Sequence, residues 1–247
     1  MMIVLLAAAL AAQSAAPATP AAPAAPTACV AARGVETLTC RATEAANAGR
    51  FADAAAAFEE AATLSMAISA TVGDARSEKL LAAAGNMWIA AGEPGKAALA
   101  LDRALAGTGL APLQRGEALL DRARAAEAQN DLKTARAKVS EAEATIAEDP
   151  FLWYFSAALA IRENNPAAAR IAIGRALALA PTDPTILFEA GHVAQVAGDE
   201  TQARAYWSQA DRHDSAGAVG KAAREALLLL TPQPADGAAG PPAKPAQ

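Results

Sequence analysis

Residues 163–184 read ENNPAAARIAIGRALALAPTDP, and residues 197–214 read AGDETQARAYWSQADRHD. Each stretch opens on a polar turn, then places Ala, a bulky apolar residue four positions on, and Ala three after that. In the first stretch these are Ala169, Ile173 and Ala176; in the second they are Ala203, Trp207 and Ala210, a displacement of 34 residues. The same rhythm runs backwards along the chain through Ala135, Val139 and Ala142, through Ala97, Leu101 and Ala104, and through Ala54, Phe58 and Ala61. From the first Ala of each copy to the next the steps are 43, 38, 34 and 34 residues, so five copies stand in one register and the early ones carry insertions.

Composition assigns the repeat to helices. The chain has 247 residues and is 53% hydrophobic but only 4% aromatic. Much of the apolar content is Ala, the strongest helix former and a side chain that lets helices approach closely. Apolar residues recur at helical spacing almost throughout, and no run rich in Val, Ile, Thr and Tyr alternates with period two. With 21 basic and 26 acidic residues the net charge is −5 and the pI about 5.2. No basic stripe is present that could neutralise phosphates, so a nucleic-acid partner is not expected.

Punctuation within each copy divides it into two helices. A small residue, Ala42, Gly85, Ala123, Ala157 or Gly191, stands twelve positions ahead of the signature Ala, where it allows backbone-to-backbone contact of two helices. Gly49, Gly92, Asn130 and Gly198 lie between the halves as helix stops. Asp149-Pro150 and Asp183-Pro184 combine an N-cap with a first-turn proline and mark where first helices begin. This pattern resembles the tetratricopeptide repeat (TPR) family, whose unit is a 34-residue helix-turn-helix. Trp153, Ala157, Ala169, Ile173, Ala176 and Pro181 carry the resemblance in the fourth copy; Leu187, Gly191, Ala203, Trp207 and Ala210 carry it in the fifth, and Leu81, Gly85, Trp88, Ala97, Leu101 and Ala104 in the second. The resemblance implies an all-α fold, a right-handed α-solenoid of five helical hairpins. The repeats are expected at about 35–64, 78–108, 116–148, 150–182 and 184–213, closed by a capping helix over 216–230.

Outside the repeats, MMIVLLAAALAA is uninterrupted apolar sequence followed by small residues. It is too short for a stable bilayer span, which takes about 20 residues, and reads as a removable signal over residues 1–16. That predicts an exported, periplasmic protein with no stable membrane span. Residues 17–28 are a Pro/Ala-rich linker, and residues 231–247 repeat that composition as a disordered tail. Cys29 and Cys40 are the two cysteines, and an oxidising compartment would favour their pairing. A bridge between them closes a short loop and stabilises by roughly 3 kcal/mol on the chain-entropy model.

Candidate chemistry is sparse. His213 lies beside Asp211 and Asp214 in a polar turn-like stretch, which reads as a solvated segment rather than a metal site. The Gly217–Lys221 stretch lacks both the preceding strand and the following Ser or Thr of a phosphate loop. Glu59, Glu60, Glu141 and Glu143 read as solvated faces, and Trp88, Trp153 and Trp207 fall on buried repeat positions. The expectation is a non-catalytic protein without cofactor or metal.

The resemblance implies instead a concave groove, lined by the first helices, that takes a peptide or helix of a partner. Transferred to this chain, the groove residues are Asn86 and Ile89; Leu120, Arg124 and Glu127; Tyr154, Ile161 and Arg162; and Phe188, His192 and Gln195. Family members that clamp a chaperone's C-terminal carboxylate carry basic residues on two successive first helices. Here Ala82 replaces one of them, and Glu117 and Asp121 stand where the next helix should be basic, which disfavours that mode. The expected function is a protein-interaction adaptor in envelope assembly or secretion; the alternative is a self-associating structural protein.

Overall fold

The computed structural model describes Cys29 and residues 34–69 and 75–230. The expected signal, the linker and the tail lie outside the described residues. Eleven helices follow one another among those described, and they pair as hairpins. These are α1 (Val35–Asn47) with α2 (Phe51–Ile68), α3 (Ala75–Ala90) with α4 (Pro94–Ala106), α5 (Pro112–Ala128) with α6 (Leu132–Ile146), α7 (Pro150–Arg162) with α8 (Pro166–Leu179), and α9 (Pro184–Val196) with α10 (Glu200–His213). A single helix, α11 (Ala218–Leu229), packs on α10 and more lightly on α9.

Local chemistry explains the boundaries. Gly49, Gly92, Asn130 and Gly198 all adopt positive φ, at 72°, 74°, 61° and 79°, and so stop the first helix of each hairpin. Asn164, at φ 55°, does the same in the fourth hairpin. The Asp149 and Asp183 carboxylates accept from Phe151 N and from Thr185 and Ile186 N respectively, capping α7 and α9. Three boundaries differ from the sequence reading, the first being α3, which begins at Ala75 rather than near 78. Helix α5 begins at Pro112 rather than near 116, because its first-turn proline follows Ala111 and lacks the Asp that signals the same boundary at 149 and 183. Helix α2 continues to Ile68, a full turn past the expected end, since nothing in LSMAI breaks a helix.

The signature positions form the core. Ala54, Ala97, Ala135, Ala169 and Ala203 are all fully buried, as are Ala61, Ala104, Ala142, Ala176 and Ala210. Of the bulky residues between them, Leu101, Val139, Ile173 and Trp207 are 0–5% exposed. Close packing is achieved by omitting side chains: a Cβ on Gly85 or Gly191 would collide with Leu101 or Trp207. The three tryptophans lie in the core, as read from sequence. Trp153 and Trp207 donate from Nε1 to Ala147 O and Phe188 O. The Arg175 guanidinium covers the Trp153 ring, and the Lys96 ammonium covers that of Trp88.

The first hairpin departs from this regularity. Its signature residue, Phe58, is only partly buried. Helix α3 packs along the lengthened α2, while α1 makes almost no close approach to α3. Successive first helices meet closely at α3–α5 and α7–α9, whereas α5 and α7, like α1 and α3, approach only through side chains. Phe58 is left partly open toward the space between α1, α3 and α5.

Candidate functional site

The first helices α1, α3 and α5 share the lining of a trough in the N-terminal half of the molecule. A cavity of about 540 Å³ is lined from α1 by Thr43 and Ala46, from α3 by Lys79, Ala82, Asn86 and Met87, and from α5 by Glu117, Ala118 and Asp121. Phe58 of α2 reaches it from behind, and Leu110 and Gln114 close its end. A second cavity of about 470 Å³ shares Thr43 and Lys79 with the first and extends to Cys40 and the Glu36–Arg76 ion pair. Together they form one trough running from the disulfide to α5.

Buried Glu78 sets the end wall. Its Oε2 accepts from Gly109 N and Leu110 N, and Arg115 Nη1 donates to Gly107 O, so the α4–α5 connection is held from both sides. Leu110 is thereby fixed at 6% exposure with its side chain against the cavity.

The residues read from sequence as a groove are not all brought together. Asn86 and Leu120 line the trough. Asn86 Nδ2 donates to Asp121 Oδ2 at 2.8 Å, and Arg124 Nη1 donates to the other oxygen at 2.8 Å, so this carboxylate links α3 to α5. Arg162, at the end of α7, reaches back to the Glu127 carboxylate and carbonyl and to Asn130 Oδ1, tying α7 to α5. These polar groups set the spacing of neighbouring first helices. Ile89, Tyr154 and Ile161 are partly buried against the core. Phe188 and His192 meet edge-to-face with centroids 4.5 Å apart, and His192 meets Trp207 edge-on at 5.5 Å. The His192 Nδ1 also lies 3.6 Å from Glu189. Gln195 is exposed at the end of α9. Burial pushes the Tyr154 phenol above its ordinary pKa, with the Glu189 and Asp183 carboxylates adding to the shift and Arg124 opposing it.

Several trough residues were not singled out by the sequence: Phe58, Lys79, Met87, Gln114 and Thr43. Phe58 carried only the core signal of its repeat. Ala82, Glu117 and Asp121, noted as departures from the chaperone clamp, all face the trough. Cys29 and Cys40 are joined as a disulfide with Cα atoms 5.5 Å apart. Among the described residues the one cluster with metal-ligand geometry is Cys29, Cys40 and Glu44, and its sulfurs are consumed by that bond. His213 is the exposed last residue of α10 rather than part of a turn. No helix among the described residues is long and apolar enough to cross a membrane.

No protein-family model and no curated protein matches the chain in sequence. Solved structures do match in shape. TTC0263, described as a thermophilic TPR protein in Thermus thermophilus, superposes with a TM-score of 0.59 at 18% identity, over 79% of this chain and 100% of its own. A tetratricopeptide repeat protein from Parabacteroides merdae gives 0.57 at 16% identity, over 80% and 71%. The chain has the tetratricopeptide-repeat fold. A third tetratricopeptide structure, YrrB, described as having an unusual peptide-binding site, gives 0.54 at 14% identity over 76% of this chain and 91% of its own.

Proposed function

We propose that this tetratricopeptide array is a protein-interaction adaptor whose first-helix face holds a peptide or helix of a partner protein. The observation that carries the reading is the trough at α1, α3 and α5, where a repeat signature residue, Phe58, is turned partly into an open cavity of about 540 Å³. A mostly apolar cleft of this size with a few convergent polar groups is what a binding site requires. Here those groups are Lys79, Gln114 and Glu117. The fold shared with YrrB, itself described by a peptide-binding site, supports the same reading. Recognition is non-covalent, by apolar anchors on a pre-formed surface held rigid by inter-repeat packing.

The apolar leader at residues 1–16 and the Cys29–Cys40 disulfide support export, and with it a role in cell-envelope assembly or secretion. The test is photocrosslinking in the source cell from Asn86, with Leu99, exposed on α4, as the control position. A partner captured from Asn86, not from Leu99, and lost in Phe58→Ala supports the adaptor. Equal capture from both positions refutes the trough as the site.

A second reading is self-association. Leu113 and Phe151 occupy the same second position of α5 and α7 and are 60% and 51% exposed, so consecutive repeats present an apolar edge. Sedimentation of wild type against Leu113→Asp/Phe151→Asp separates the two readings: a dimer dissociated by the pair of charges favours the structural protein.

A further inference from the structure

The trough begins beside the disulfide that ties Cys29, the residue following 17–28, to α1. Cys29, 5% exposed, is bonded to Cys40, and Cys40 lines the cavity that runs through Thr43 and Lys79 into the main trough. Whatever precedes Cys29 is therefore tethered at one end of the trough rather than at the tip of α1.

The sequence tethered there is PATPAAPAAPTA, with prolines at 17, 20, 23 and 26. That spacing is strictly three, the number of residues per turn of polyproline II, so all four rings fall on a single ridge of such a helix. At about 3.1 Å per residue the twelve residues extend roughly 37 Å. A helix with side chains is about 10 Å across, so this length passes over α1, α3 and α5. The side chains of the segment carry no charge; in the trough Asp121 is already satisfied by Asn86 and Arg124, and the Glu117 carboxylate is exposed and can stay in water. Between the rims lie Ala46, Ala82, Ala83 and Ala118, small side chains that leave room for pyrrolidine rings against Phe58. Polyproline II leaves its carbonyls unbonded. The Lys79 ammonium, which forms no ion pair among the described residues, and the Gln114 amide nitrogen lie at the edge to donate to them.

We propose that residues 17–28 dock in this trough as a polyproline II ridge, an intramolecular occupant that a partner must displace. The tether makes weak contacts sufficient, since a short linker holds its segment at an effective concentration of about 1 mM. The inference concerns occupancy by the chain itself and does not depend on which partner is later bound.

The experiment places photoreactive benzoylphenylalanine at Met87 in one variant and at Gln114 in another, in the purified full chain with its disulfide intact. Irradiation is followed by separation of monomer-sized from dimer-sized product, then proteolysis and mass spectrometry of each. Circular dichroism establishes that each variant is folded, and either position serves if the other is not. The expected result is an intramolecular crosslink to residues 17–28 that falls at least tenfold in Pro20→Asp/Pro23→Asp. Crosslinks to residues 231–247, crosslinks between two copies, no crosslink to 17–28 from a folded variant, or a yield unchanged by the two aspartates would each overturn it. None of these outcomes is read from partner capture, so failure here leaves the adaptor reading to its own test.

Discussion

Replacing Gly191 by Ala adds one methyl group at the point where α9 meets α10. The new Cβ would lie 2.7 Å from Trp207 Cε2 and closer still to Cδ1 and Nε1, well inside any ordinary contact. Trp207 is 1% exposed, so its ring has no solvent to retreat into. Helix propensity alone favours Ala over Gly by about 1 kcal/mol. Against this, overpacking a closed core costs about 1–3 kcal/mol. Displacing the ring also breaks the 3.0 Å bond from Trp207 Nε1 to Phe188 O, which contributes about 1 kcal/mol. The balance is a loss of about 1–3 kcal/mol, equivalent to roughly 2–4 °C in Tm per kcal/mol for a domain of this size. Gly174→Ala is the matched control: it also lies inside a helix, α8, but nothing stands within 4 Å of its would-be Cβ. There the propensity acts alone and stability rises by about 0.5–1 kcal/mol. Thermal unfolding followed by tryptophan fluorescence reads both variants. Opposite signs are expected, and a Gly191→Ala protein that melts higher, as Gly174→Ala should, would refute the close contact of α9 and α10 through Trp207.

Four further outcomes follow from the same geometry. Ala169→Glu places a carboxylate at a site with no exposure and should abolish cooperative unfolding of the fourth and fifth repeats by circular dichroism; an unchanged melt would contradict the register. Asp183→Ala removes the acceptor for Thr185 N and Ile186 N and should cost about 1 kcal/mol in urea denaturation, whereas Asp183→Asn should retain most of it. Reducing the Cys29–Cys40 bond should lower stability by about 3 kcal/mol on the chain-entropy model, measured as the shift in urea midpoint with and without reductant. Tyr154 should ionise above pH 10, because burial and Glu189 disfavour its anion. Its folded pKa exceeds the unfolded value, so the linked stability is fully present below pH 10 and is lost as pH rises through the folded pKa. Phenolate absorbance compared between wild type and Tyr154→Phe isolates that titration.

How far the site could be read in advance varies residue by residue. Asn86 and Leu120 follow from the repeat register, because the small residue at each first helix fixes which neighbours share its face. Arg162 follows from register as well, but its engagement with Glu127 and Asn130 depends on the offset between α5 and α7, which no single-repeat pattern contains. Phe58 is the instructive miss. Its spacing from Ala54 and Ala61 is the same as that of Leu101 from Ala97 and Ala104, yet Leu101 is fully buried and Phe58 is not. The difference arises from how α1, α2 and α3 pack together, which the spacing within one repeat does not contain.

Sequence by itself determined the helices, their pairing and the identity of the core. Those depend on local causes: left-handed stops at Gly and Asn, Asp caps ahead of Pro, and Ala where two backbones must meet. It also determined that Cys29 and Cys40 were the available pair. Tertiary structure alone decided where the repeat series is interrupted to leave a cavity. The insertion is visible as a step of 43 residues, and α3 packs along the lengthened α2; how α1 lies against them is set by the packing of whole helices. The trough, the face that Phe58 turns toward it and the end of it at which the disulfide lies follow from that packing.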